Sequence, residues 1–333
     1  MKKGKQNTIC DIAGIRVGHK TCSHENIQTG VSILIPREDI FMHKCPAAVH
    51  VINGYGKTTG LLQIEELGTL ESPIALTNTL SVGIVQQALV KYMLKQNKEI
   101  GLSAGTINVV VGECNDSYLN DIRACAVCEQ DVYDAIQNAS ADFALGSVGA
   151  GRGMSCFEMK GGIGSSSRIV SIGRQNYTIG ALVLTNFGRK QDFSFSSYDF
   201  STFTDSSVEQ GSIIILLATD IPLSSRQLKR LCKRMPIALA ETGSWMGNGS
   251  GDIVIAFSTG VDIPHFDAAP FQERTILNES YIDLVFRAGI EACEEAIYSS
   301  LLQAQTTIGR DGHIRYSLQD TLKKMQKTTD QKR

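Results

Sequence analysis

The sequence predicts an α+β protein in which helices cover sheets, and three observations carry that prediction. Short runs rich in Val and Ile, bounded by Gly, Asn or Pro, recur along the chain. Apolar residues at helical spacing recur in four longer segments. The two kinds of segment interleave without strict alternation, so a regular βαβ repeat fits poorly and a layered α+β sandwich fits better.

Taken in order, VSILI (31–35) and AAVHVI (47–52) read as strands. The first helical pattern, VGIVQQALVKYMLKQNK (82–98), brings Ile84, Leu89, Tyr92 and Met93 near one face. INVVV (107–111) reads as a strand, and NDIRACAVCEQDVYDAIQN (120–138) as the second helix. RIVSI (168–172), TIGALVLT (178–185) and SIIILLA (212–218) are strands, the last far short of the ~18 apolar residues that a membrane span needs. The polar stretch 189–211 between them reads as a long loop on the surface or over a site. SRQLKRLCKRM (225–235) is the third helical pattern and DIVIAF (252–257) the next strand. The longest helical pattern, 281–305, carries an apolar stripe at Val285, Ala288, Ala292 and Leu301. No linker or solenoid repeat divides the 333 residues, which read as a single domain, 1–333.

Composition narrows the function classes. A formal charge of −2, with 42% hydrophobic and 20% charged residues, describes an ordinary soluble globular chain with no reason to bind nucleic acid or a membrane. Nine cysteines fall without framework spacing, and the amino terminus has lysines but no apolar core. Together these predict free thiols in a cytoplasmic setting. The six histidines show no ligand spacing, and the CxxC at Cys125 and Cys128 stands alone and reads as two buried or half-buried helix cysteines. No metal and no cofactor is expected. The glycine-dense stretch 145–168 contains GAGRG, but no helix or acidic residue follows where a dinucleotide fingerprint needs them. Close backbone packing, or N–H groups facing a ligand, explains it better.

The segment GSWMGNGSGDIVIAF (243–257) has two readings. Asn-Gly is a strong turn signal, and local chemistry alone favours a hairpin or tight turn. The other reading starts from Gly249-Ser250 lying immediately before a strand. A strained amide ahead of a hydroxyl can undergo N→O acyl shift, and hydrolysis of the ester frees Ser250 as a new N-terminus. That residue then carries a hydroxyl nucleophile and an α-amine of unperturbed pKa near ~8 that serves as its base without histidine.

The motifs then fall into a known order. DIAGIRVGH (11–19), HVINGYGKTTGL (50–61), SPIALTNTLSVG (72–83) and VVVGECNDSYLND (109–121) are followed by VGAGRGMSCFEMKGGIGSSSR (148–168), VLTNFG (183–188), GNGSGDIVIAFSTG (247–260) and EACEEAIYSSLLQAQTTIGRDG (291–312). Over nearly its whole length the chain resembles the DmpA/BapA-type aminopeptidases, that is, the L-aminopeptidase/D-esterases and β-peptidyl aminopeptidases. These are self-cleaving N-terminal-nucleophile-like hydrolases that share a fold with ornithine acetyltransferases.

The resemblance implies a layered αββα sandwich of that type. It implies self-cleavage between Gly249 and Ser250 into an α chain, 1–249, and a β chain, 250–333, with Ser250 as nucleophile. Asn186 matches the side-chain donor of the oxyanion hole, and the backbone N–H near Ser147 the second donor. Glu294 matches the glutamate of the C-terminal helix, with Glu291 and Glu295 as alternatives. Leu145 and Gly146 fall at the substrate pocket, where the family's acid for the substrate amine is replaced by Leu145. A serine paired with the helix glutamate becomes Ala292, and Lys57 stands where an acid is usual.

The expected function is hydrolysis of an amide or ester of a small peptide-like substrate through an acyl-enzyme on Ser250, in homo-tetramers or larger assemblies. If the amine-binding acid is absent, an N-capped substrate is expected. Acyl transfer to an amine, as in the acetyltransferases, and a catalytically reduced homologue acting in binding or assembly are the alternatives.

Overall fold

Alternation along the central strands sets the architecture. A computed structural model of the chain describes residues 1–196, 198–203, 210–267 and 269–330. In chain order its elements are β1 (Arg16–His24), β2 (Ile27–Ile35), β3 (His43–Gly54), α1 (Leu61–Leu67), β4 (Thr69–Leu70), β5 (Ile74–Asn78), α2 (Val82–Gln96), β6 (Val110–Cys114) and α3 (Glu129–Gln137). They continue with β7 (Ser155–Cys156), β8 (Met159–Lys160), β9 (Gly162–Ile172), β10 (Gln175–Asn186), β11 (Gln210–Thr219), α4 (Ser225–Cys232), α5 (Met235–Thr242) and β12 (Gly249–Ser258). The last are β13 (Ile263–Pro264), α6 (Ile282–Leu302), β14 (Thr307–Ile308), β15 (Ile314–Arg315) and α7 (Leu318–Asp330).

One sheet has the order β1-β2-β5-β6, and the larger runs β13-β3-β12-β11-β10-β9 with β4 beside β3. On β10, Leu182 and Leu184 join the core between the sheets, while Ala181 and Val183 join the core under the helices. On β11 the same split separates Ile214 and Leu216 from Ile213 and Ile215; on β12 it separates Ile253 and Ile255 from Val254 and Ala256. Because both faces of these strands are buried, they read in the sequence as continuous apolar runs rather than alternating ones. Helices α2 and α3 lie on the outer face of the small sheet, and α4 and α6, with α5 against α6, on that of the large one. The result is the expected αββα order of layers.

Several local expectations change. Strand β12 pairs with β11 in parallel, Gly211 opposite Ser250, so the chain between them is a crossover through α4 and α5. The segment 243–249 therefore leads into an interior strand: the tight turn that Asn248-Gly249 signals is present, closed by the Ser250 N–H on the Gly247 carbonyl, but it joins no hairpin. The second helix starts only at Glu129; Cys125 has φ 45° and both Cys125 and Cys128 are exposed, outside any helix core. Helix α2 buries Val82, Val85, Ala88, Leu89 and Met93 and leaves Ile84 exposed. The strand expected at 107–111 lies at Val110–Cys114. The helix expected at 225–235 breaks after Cys232, and α5 begins anew with Pro236 in its first turn.

Of the stretch 189–211, residues 197 and 204–209 lie outside the described residues. The described residues from 189 to 203 do form a surface loop, with Ser194, Ser196, Asp199, Ser201 and Thr202 exposed, but it is anchored: Phe193 and Phe200 are buried, and the Phe193 ring centroid lies 4.6 Å from that of Phe157 and 5.1 Å from that of Phe200. The glycine-dense stretch serves close packing. A Cβ on Gly153 would lie 2.2 Å from the Gln28 carbonyl oxygen, which no larger residue could tolerate without moving β2.

Candidate active site

Ser250 sits at the head of β12 and is 1% exposed. Its N–H donates to the Gly247 carbonyl at 2.9 Å, and its Oγ donates to Asp252 Oδ1 at 2.6 Å. Residues two apart on an extended strand share a side, which is why a Ser-x-Asp spacing yields this contact. Opposite Asp252 on β3 stands Asn53. The two hydrogens of its Nδ2 are shared among three carbonyls, those of Gly247 and Asn248, each at 3.1 Å, and that of Ser250. One amide thus holds the backbone on both sides of the Gly249–Ser250 bond.

Asn248 and Gly249 open onto a cavity of about 900 Å³, while Ser250 lies beneath and does not line it. Asn186, at the end of β10, does line it. The Ser155 N–H donates to Asn186 Oδ1 at 2.9 Å, which fixes the amide's orientation and leaves Nδ2 as its donor. The neighbouring wall needs a glycine: Gly211 has φ +139°, and a Cβ there would lie 1.9 Å from the Asn186 carbonyl oxygen. Any side chain at Gly211 would push β10 away from the site.

The segment before Ser155 is held by Lys160, which is fully buried. Its Nζ donates to the carbonyls of Gly151 and Met154, each at 2.9 Å, and of Gly161 at 2.6 Å. Burial pulls its pKa well below the usual lysine value, yet three carbonyl acceptors call for three N–H donors, so the geometry favours the ammonium form.

Glu113, on β6, is 2% exposed and lines the cavity. Its Oε1 accepts from the Lys57 N–H at 2.7 Å and its Oε2 from Thr79 Oγ1. Lys57, Arg189, Arg310, Arg315 and Glu158 also reach the cavity. Among the described residues no group of acids, histidines and cysteines could hold a metal ion.

Of the residues expected at the site, the structure therefore brings together Gly249, Ser250 and Asn186. Leu145, Gly146 and Ser147 lie elsewhere. Leu145 packs against the core between the sheets. Gly146 exchanges backbone hydrogen bonds with Ile163 at 2.7 and 2.9 Å. The Gln305 N–H donates to Ser147 Oγ at 3.1 Å, so this segment braces the chain just after α6. Glu294 is likewise outside the cavity lining; burial and the neighbouring Glu241 raise its carboxyl, with Tyr298 beside it. Glu291 and Glu295 pair with Arg168 at 3.3 and 2.7 Å and with the amino-terminal segment. Asp252, Asn53 and Glu113 were missed, although each lies inside or beside a motif already singled out. The Ser-x-Asp spacing on a strand was a signal for Asp252, whereas nothing in one sequence brings Asn53 or Glu113 to this place.

The chain matches the profile of Peptidase family S58 over residues 7–315. It is 34% identical to the β-peptidyl aminopeptidase BapA of Sphingosinicella microcystinivorans, over 94% of this chain and 85% of that protein. A crystal structure of the PH0078 protein from Pyrococcus horikoshii OT3 superposes with a TM-score of 0.92 at 47% identity, covering 98% of this chain and 96% of that one. The L-aminopeptidase D-Ala-esterase/amidase from Ochrobactrum anthropi, described as a variant of the Ntn-hydrolase fold, superposes with a TM-score of 0.89 at 31% identity, covering 99% and 96%.

Proposed function

This chain belongs to peptidase family S58, and on that premise we propose that it is a self-processing serine aminopeptidase. It cuts its own Gly249–Ser250 bond, and the freed Ser250 then cleaves amides or esters of small peptide-like substrates that carry a free amino end. The observation that carries this reading is the Ser250 hydroxyl, buried under an intact Gly249 peptide that itself lines a cavity holding Asn186 and Glu113. In the continuous chain the nucleophile is covered; loss of the Gly249 linkage would uncover it.

Once free, the Ser250 α-amine takes the proton of its own hydroxyl, and Oγ attacks the substrate carbonyl. The oxyanion accepts a hydrogen bond from Asn186 Nδ2, an interaction of the kind worth about 3–4 kcal/mol in the transition state. The leaving amine takes the proton, and water resolves the acyl-enzyme. The Ser147 N–H has no part in this reading, because Ser147 is not among the residues that line the cavity. Glu113 supplies the acid that seemed lost at Leu145: a buried carboxylate on the cavity wall, suited to a substrate ammonium. The activities for which these relatives are named, β-peptidyl aminopeptidase and L-aminopeptidase, point the same way.

Intact mass of the purified protein tests the reading first. Two chains, 1–249 and 250–333, are expected, with Ser250→Ala remaining one inactive chain; activity in that variant would remove Ser250 as nucleophile. Free-amine p-nitroanilides should be cleaved and their N-acetyl forms not. Glu113→Gln should raise KM for the free-amine substrate by about ten- to a hundredfold, the range of a lost hydrogen bond to a charged group. An unchanged KM would mean that the amine is bound elsewhere.

A further inference from the structure

We propose that Asp252 is the base that starts self-cleavage, an inference that rests on the self-processing reading above. Before the bond is cut, the α-amine that serves turnover is locked in the Gly249–Ser250 amide and has no basicity. Ser250 must lose its proton to another group. Its Oγ already donates to Asp252 Oδ1 at 2.6 Å, and both residues are 1% exposed. Among the described residues, no histidine lines the cavity. The contact is built into an interior strand: β12 is paired to β11 on one side and to β3 on the other, so neither residue can drift from its neighbour. Asn53 Nδ2, bonded to the Gly247, Asn248 and Ser250 carbonyls, holds the flanking backbone while the Gly249 peptide reacts.

The step balances without a further reagent. Asp252 Oδ1 takes the proton from Ser250 Oγ as Oγ bonds to the Gly249 carbonyl carbon, giving a tetrahedral oxyanion. The C–N bond to Ser250 then breaks, and the proton held by Asp252 passes to the departing nitrogen. This leaves the Gly249 acyl group esterified to Ser250 Oγ, a free α-amine on Ser250 and an ionised Asp252. Water adds to the ester, releasing Gly249 as a carboxylic acid and Ser250 with its hydroxyl restored. Asp252 thus acts as a catalytic residue of maturation, while the α-amine it liberates serves turnover.

The test follows conversion of the full-length chain into 1–249 and 250–333 by intact mass after cell-free synthesis. Wild type should convert, Asp252→Asn should convert about 10²–10⁴-fold more slowly, the range of a lost general base, and Asp252→Glu should retain part of the rate. Formate added to Asp252→Ala should restore cleavage, which a purely structural role would not allow. Cleavage of Asp252→Asn at the wild-type rate would overturn the role of Asp252 while leaving self-processing intact. A wild-type chain that stays whole would overturn the self-processing reading itself. If Asp252→Asn does not fold, the other two variants decide: cleavage in Asp252→Glu or formate rescue supports the proposal, and failure of both overturns it.

Discussion

At the scale of residues, side-chain geometry sets protonation states that a sequence motif does not reveal. His19, in the opening motif, lies with Nδ1 2.8 Å from Ser32 Oγ and Nε2 3.1 Å from the Ala144 carbonyl oxygen. A carbonyl can only accept, so Nε2 carries the hydrogen and Nδ1 accepts from the serine, an arrangement that suits the neutral ring. Burial lowers the pKa of this histidine to about 4. The unfolded chain therefore binds a proton between pH 6.5 and 4 that the folded chain refuses, and the contribution, complete above pH 6.5, is lost as pH falls. Asp116, pushed up to about 6 by burial, works in the opposite sense between pH 3.8 and 6. The comparison is therefore with a variant. Urea unfolding of His19→Asn should lack about 2 kcal/mol of the wild-type stability change between pH 7 and pH 5. An identical change in both proteins would show that His19 takes up a proton in the fold as readily as in the unfolded chain.

At the scale of elements, the loop between β10 and β11 is held more firmly than its polar sequence suggests. Its serines and aspartates read as loop, yet Phe193 and Phe200 are buried and Phe193 packs on Phe157 from the glycine-dense stretch. Tyr298 of α6 closes the group, its ring centroid 6.2 Å from that of Phe193, and its hydroxyl donates to the Ser194 carbonyl at 3.0 Å. The segment therefore ties α6 to the chain that follows Asn186. Phe200→Ala should cost about 3–5 kcal/mol, the range for a large aromatic removed from a core, measured by chemical denaturation. A loss below 1 kcal/mol would mean that the segment is not packed in solution. Helix α2 was legible because its face repeats at 3.6 residues, whereas the start of α3 was not, since Ile122–Ala124 forms a separate turn before Cys125.

At the scale of the whole molecule, the proposed cut falls in an unusual place. The new terminus would head β12, an interior strand paired on both edges and buried on both faces, and α6 of the same fragment packs on β9 and β10. Separating 250–333 from 1–249 would expose two apolar cores at once, so cleavage should leave the chains together. Denaturing gels should resolve two chains that elute as one species in native size exclusion, at the mass of four or more αβ units if the assembly expected from the resemblance forms. Elution of 250–333 alone would contradict the central position of β12, and elution at one αβ unit would remove the assembly.

By itself the sequence determined the layered class, most of the central strands, the long α6 and the Gly249-Ser250 and Asn186 motifs. These rest on local signals, namely two-sided apolar runs, helical periodicity and an ordered set of short motifs. Only the tertiary structure decided that β11 and β12 run in parallel, which makes the tight turn at 247–250 the entry to an interior strand and not the bend of a hairpin. It also decided which polar residues converge across the fold: Glu113 on the cavity rather than Leu145, and Asn53 across both sides of one peptide bond. Such choices depend on strand register and on contacts between residues nearly two hundred positions apart, as between Asn53 and Ser250. Local spacing carries no information about them.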